Sequence, residues 1–214
     1  MKVYFLSGLG ADEKAFQALE LPDVEPIHLN WIPPLKKESI EAYAKRMAER
    51  ITEPDPVIIG LSFGGMMAIE IAKLIPVKKL ILISSAKGKQ ELPPYFTICS
   101  HIPFHKILPL RIMSMNEKAM FYIFGTRTAE QKKNLVSIIN NSITGFNKWA
   151  IDRIVNWNNN KLPANLTHIH GNADKLLPYQ FVKADYTIDN GGHFMIVNQA
   201  KEISVLLQKL LSIE

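Results

Sequence analysis

The chain has 214 residues, 47% hydrophobic and 21% charged, which excludes a disordered chain and fits one globular domain over 1–214. Its single cysteine, Cys99, excludes an intramolecular disulfide framework and fits a reducing compartment, so a cytoplasmic location is expected. The net charge of +5 is unevenly placed: residues 85–160 hold ten basic against four acidic residues, while the remainder is slightly acidic.

Val3-Tyr4-Phe5-Leu6 is a continuous apolar run closed by Gly8 and Gly10, the pattern of a strand buried on both faces. It is too short for a signal-peptide core. A helix is expected next, capped by Asp12 and carrying Ala15, Phe16, Ala18 and Leu19, until Pro22 and Pro26 interrupt it. Pro26 to Leu29 reads as a second strand. From Ser39 to Ile51 the apolar positions Ile40, Tyr43, Ala44, Met47, Ala48 and Ile51 fall at helical spacing, with Ser39 as cap.

Val57-Ile58-Ile59 is a third strand, followed after Gly60 by a helix that Pro76 stops, and Lys79 to Ile83 is a fourth strand. Residues 85–160 break this rhythm with Pro93, Pro94 and Pro103 and with helical patterns rich in aromatics and methionine. They read as an inserted helical cap. The alternation resumes with strands at Leu166–His170 and Ala184–Ile188 and a final helix over Phe194–Leu211. Strands alternating with helices predict an open six-stranded parallel sheet with helices on both faces, an α/β class in which chemistry gathers at the carboxyl ends of the strands. No stretch reaches the roughly 20 apolar residues that a membrane-spanning helix needs.

Gly60-Leu61-Ser62-Phe63-Gly64 sits between a strand and a helix, the context of a nucleophile elbow, where flanking glycines let the chain fold sharply around an exposed serine. The alternative is a glycine-rich turn with an incidental serine. A serine hydroxyl needs a base, and the base needs a carboxylate to fix its tautomer. Gly171-Asn172-Ala173-Asp174 and Gly191-Gly192-His193-Phe194 both follow strands and supply them in the order Ser, Asp, His. The bland alternatives are a turn-former at Asp174 and a helix cap at His193.

On these three motifs the chain resembles the α/β-hydrolase superfamily from Lys2 to the C-terminal helix, with the cap departing from the pattern. The resemblance implies Ser62 as nucleophile, His193 as general base and Asp174 as its orienting acid. It implies an oxyanion hole from the main-chain N–H groups of Phe63 and Leu9, the latter in Ser7-Gly8-Leu9-Gly10 where many relatives carry His-Gly. The chain begins on what would be the family's third strand, so a minimal sheet of order 4-3-5-6-7-8 in the family's labels is expected.

Trp31 stands where many relatives have a glycine-rich loop, and lining the pocket or packing on the cap are equally open to it. Phe96, Phe104, Met113, Met120, Phe124 and Trp149 could form an acyl-binding ceiling, though core packing is the favoured reading. His101 and His105 near Cys99 faintly suggest a metal, but Pro103 between them argues against alignment and no metal site is expected. His168 and His170 share one face of a strand and read as structural.

The expected activity is hydrolysis of a carboxylic ester or thioester with an apolar acyl group through an acyl-serine intermediate, with no cofactor. Carbon–carbon bond hydrolysis, cyanohydrin cleavage, perhydrolysis and a non-enzymatic ligand receptor remain open on the same scaffold. The basic segment suggests a substrate carried by an acidic acyl carrier protein. Despite a pI near 9.2, no motif accompanies the charge that would indicate nucleic-acid binding, and no membrane partner is expected.

Overall fold

The computed structural model describes residues 1–96, 117–139 and 145–212. Six strands form one sheet: β1 (Lys2–Leu6), β2 (Glu25–His28), β3 (Val57–Leu61), β4 (Lys79–Ile83), β5 (Leu166–Gly171) and β6 (Tyr186–Ile188). Their spatial order is β2-β1-β3-β4-β5-β6 and every pairing is parallel. This is the expected order, one strand for each apolar run.

The period-two alternation of the strands divides the core into two layers. Tyr4, Leu6, Ile58, Leu80 and Leu82 face α1 (Ile40–Ala48), α2 (Phe63–Ala72) and α5 (Phe146–Val155). On the other side Val3, Phe5, Ile59, Ile81 and Ile169 meet α4 (Ala129–Ile139), α6 (Met195–Asn198) and α7 (Ala200–Ser212). Burial on both faces is why β1, β3 and β4 read as unbroken apolar runs, each Leu or Ile side chain contributing about 1.5–3 kcal/mol of transfer free energy. Ser39 caps α1 by accepting from the Ala42 N–H at 3.1 Å.

Between β4 and β5 the described stretches hold α3 (Glu117–Phe124), α4 and α5. Cys99, His101, His105, Phe104 and Met113 lie outside the described residues. Among the described residues no helix is long and apolar enough to cross a membrane, and no cluster of His, Cys, Asp and Glu could hold a metal ion.

Three elements differ from expectation. The helix expected after Asp12 is a single 3₁₀ turn, Glu13–Phe16, capped by the Asp12 carboxylate on the Lys14 N–H. Downstream the Glu20 N–H donates to Ser204 Oγ on α7 at 2.9 Å, and this tertiary bond takes the place of a second helical turn. The final helix is parted at Gln199, whose backbone leaves helical values (φ −129°, ψ 34°) and whose side-chain amide donates to the Asp189 carbonyl at 3.0 Å. Strand β6 is also shorter than expected, starting at Tyr186 because Asp185 turns its carboxylate to the His168 N–H at 2.8 Å.

Candidate active site

All six strands run in one direction, so the loops after β1, β3, β5 and β6 emerge at one edge of the sheet. Ser62 occupies the tight turn after β3 with φ 53° and ψ −119°, a strained conformation for a residue with a side chain. Its N–H donates to Ile83 O on β4 at 2.9 Å, anchoring the turn to the neighbouring strand. Glycine is obligatory at position 64, because a Cβ there would lie 2.3 Å from Leu6 O and 2.4 Å from Ser7 O.

His193 enters from the loop after β6. The Ser62 hydroxyl donates to His193 Nε2 across 2.9 Å, and the His193 Nδ1–H donates to Asp174 Oδ2 across 2.7 Å. These roles are the assignment that satisfies both partners. The other carboxylate oxygen of Asp174 accepts the main-chain N–H groups of Leu176 and Leu177, each at 2.8 Å. Acid loop and histidine loop are tied by the Ala173 N–H on Gly191 O at 2.9 Å. They pack so closely that a Cβ at Gly171 would lie 2.2 Å from Gly191 O.

His193 and Asp174 are each only 4% exposed. Burial alone pushes the Asp174 carboxyl up, but the charge and hydrogen bond of His193, with help from His170 and the Leu177 N–H, outweigh it and hold the carboxyl below its ordinary value. An ionised acid, an oriented imidazole and a hydroxyl in hydrogen-bonded series can pass the serine proton to the imidazole and stabilise the resulting cation.

No family model matches the chain, and no curated protein matches it. Solved structures do. A lipase-esterase related protein from Clostridium acetobutylicum superposes with a TM-score of 0.69 at 16% identity, over 98% of this chain and 93% of the other. A protein described as a non-heme bromoperoxidase from Mycobacterium tuberculosis gives 0.74 at 13% identity, over 99% and 91%. A protein from Desulfitobacterium hafniense described as of the alpha/beta hydrolase family gives 0.64 at 19% identity, over 99% and 96%.

The chain has the α/β-hydrolase fold. Within that fold the remaining predicted residues are placed as follows. Leu9 lies in the loop after β1, which abuts the elbow: a Cβ at Gly8 would sit 3.5 Å from Ser62 Cβ. Ser7 closes this loop by donating its hydroxyl to Ala11 O at 2.6 Å. Phe63 is the first residue of α2. Among the described residues neither the Leu9 nor the Phe63 N–H is spent on a hydrogen bond.

Phe124 sets its ring edge-on to His193, with centroids 5.6 Å apart, and its carbonyl accepts the Phe194 N–H at 3.1 Å. The Trp31 ring packs against Phe63, the residue after the nucleophile, with centroids 5.4 Å apart, and against Phe146 of α5 at 4.9 Å. Trp149 packs on Tyr43 at 4.4 Å, reaches Phe63 at 6.1 Å, and donates its indole N–H to Glu38 O. Met120 packs against the core layer on the α7 side of the sheet.

His170, read from sequence as structural, reaches the acid loop. Its Nε2–H donates to Leu177 O at 2.8 Å and stands 3.5 Å from Asp174 Oδ2. The sequence signal was available in the spacing His170-Gly171-Asn172-Ala173-Asp174, where a strand-end side chain can fold over the loop that follows it.

Proposed function

We propose that the chain is a serine hydrolase acting on a carboxylic ester or thioester with an apolar acyl group through an acyl-serine intermediate. The observation that carries this reading is the unbroken series from Ser62 Oγ through His193 to Asp174 Oδ2, with steps of 2.9 and 2.7 Å. In acylation His193 Nε2 takes the Ser62 proton while Oγ attacks the carbonyl carbon. The oxyanion so formed is met by the Phe63 and Leu9 N–H groups, and collapse expels the alcohol or thiol, which takes the proton from His193. In deacylation His193 removes a proton from water, the hydroxide attacks the acyl carbon, and the free acid leaves with Ser62 restored.

Neighbours carrying the names lipase-esterase and thermophilic esterase support the hydrolytic reading. Segment 85–160 acts as a helical cap in this proposal, with Phe124, Trp31, Trp149 and Met120 at or behind the acyl site. A cytoplasmic setting fits the single cysteine. The bromoperoxidase name of another neighbour favours perhydrolysis as the second reading, with hydrogen peroxide replacing water in deacylation.

An acidic acyl carrier protein suits the basic segment, whose Lys118, Arg127, Lys133 and Lys148 side chains are exposed. Added salt then raises KM for carrier-borne substrates and spares small esters; an equal effect on both removes the carrier. The hydrolase reading is tested with p-nitrophenyl esters of graded acyl length, on the chain and on Ser62→Ala. Turnover lost in the variant with its fold retained is expected, and turnover retained in Ser62→Ala contradicts the reading.

A further inference from the structure

A trans peptide unit points its C=O and its N–H in opposite directions, so whatever grips the carbonyl also aims the amide. Among the described residues no peptide bond is cis. The Leu9 N–H belongs to the same unit as the Gly8 carbonyl, and the Phe63 N–H to the same unit as the Ser62 carbonyl. Each of these two carbonyls is gripped by a side chain from elsewhere in the fold. The Trp31 indole N–H donates to Gly8 O at 3.3 Å, and the Ser85 hydroxyl donates to Ser62 O at 2.6 Å.

We infer that Trp31 and Ser85 are positioning residues for the oxyanion hole, each holding the carbonyl end of one of its two peptides so that the amide end faces the reacting carbonyl oxygen. This rests on the acyl-serine reading and deepens it.

The two carbonyls do not need these side chains merely to be satisfied. Gly8 O also accepts the Ala11 N–H at 3.1 Å, and Ser62 O also accepts the Gly65 N–H at 2.9 Å and the Met66 N–H at 3.4 Å. What the side chains add is a further direction of restraint on each peptide plane, approaching the carbonyl from a different part of the fold than its main-chain donors. They also polarise the unit: a carbonyl that accepts an extra hydrogen bond makes its partner amide a stronger donor. Both effects act where charge develops, on amides that have no other acceptor among the described residues.

Each grip is itself rigidly held. Ser85 is fully buried after β4, and its hydroxyl fills the space beside Gly65, where a Cβ would lie 2.4 Å from it. The Trp31 ring packs against Phe63 and Phe146, at 5.4 and 4.9 Å, and those two rings touch each other at 6.1 Å. Trp31 therefore ties one oxyanion peptide to the residue that supplies the other, and both to α5 of the inserted segment.

The test compares the full chain with Trp31→Phe, Ser85→Ala, the double variant and Ser62→Ala. It measures kcat and KM on a p-nitrophenyl ester and the affinity of a trifluoromethyl ketone, which binds serine as an oxyanion adduct. Losing a whole oxyanion donor costs about 10²–10³ in kcat, so losing the side-chain grip on its peptide is expected to cost roughly ten-fold, with KM within about two-fold. Affinity for the ketone falls by the same factor. Unchanged kcat and ketone affinity in both folded single variants overturns the inference, as does a fall in kcat with ketone affinity intact.

A measurement on the unaltered chain covers loss of folding in the variants. On binding the ketone, the Trp31 indole proton moves downfield in the NMR spectrum together with the Leu9 amide proton. An indole proton that stays put while the amide moves overturns the coupling. Failure of the underlying reading looks different, since Ser62→Ala then turns over the ester as fast as the unaltered chain.

Discussion

His170 Nε2 stands 3.5 Å from Asp174 Oδ2, the same oxygen that accepts the His193 Nδ1–H. The acid of the series therefore has an imidazole on each side. Burial pushes the His170 imidazole toward its neutral form, against the pull of Asp174 and of the Leu177 carbonyl. A neutral His170 donates to Leu177 O, and Leu177 returns its N–H to Asp174 Oδ1 at 2.8 Å, so the histidine braces the loop on which the acid rides.

Replacing His170 with Phe is expected to lower kcat by about five-fold, the loss of roughly 1 kcal/mol of orienting hydrogen bond. Asp174→Asn should cost on the order of 10⁴, because an amide leaves the imidazole free to adopt the wrong tautomer. Steady-state kinetics on one ester checks both. Equal losses in the two variants would show that His170 does more than brace the loop.

Gly64→Ala forces a Cβ against two main-chain oxygens that cannot move aside. Strain of about 3 kcal/mol or more is expected, with activity lost even where folded protein survives. Urea unfolding of the variant gives the number. A variant as stable as the parent would mean that the elbow relaxes more freely than its packing implies.

His168 is fully buried on β5, its Nδ1 3.9 Å from Glu91 Oε2. Burial, aided by the nearby His170 and Lys87, pushes its pKa well below the usual 6.5, the Ser85 main chain opposing weakly. The unfolded chain then binds the proton more readily than the folded one. The stability associated with a neutral His168 is whole above about pH 6.5 and drains away as pH falls below it. Melting temperatures from pH 7.5 to 5 should decline, and His168→Phe should flatten the decline between pH 6.5 and 5. A slope unchanged in the variant assigns the acid sensitivity to other groups.

Phe124 places its ring edge on His193 from the last turn of α3. Trimming it to Ala opens space at the imidazole. The ratio of kcat/KM for a longer over a shorter acyl ester should rise at least about five-fold, since one methylene in an apolar pocket is worth 10-fold or more in discrimination. An unchanged ratio would place the acyl chain elsewhere.

The sheet was legible because strands buried on both faces leave short continuous apolar runs bounded by glycine, proline or charge, and β1, β3 and β4 formed on them. Ser62 was legible because its turn demands glycine on both sides. The break at Gln199 was not, since it depends on a bond to Asp189 that only the closed tertiary structure creates. Ser85 escaped notice for the same reason: its partner is a carbonyl 23 residues away, brought near by the pairing of β3 with β4. Trp31 was singled out by sequence, but its indole bond to Gly8 follows from the meeting of two loops that no local pattern encodes.

The central claim is that an acyl group passes through Ser62 Oγ. Mixing the chain with a slowly deacylating p-nitrophenyl ester, quenching in acid and sequencing the peptides by mass spectrometry tests it directly. The acyl mass is expected on Ser62 alone, in near-stoichiometric amount and absent after His193→Ala. Steady release of acid with Ser62 unmodified throughout would contradict the account.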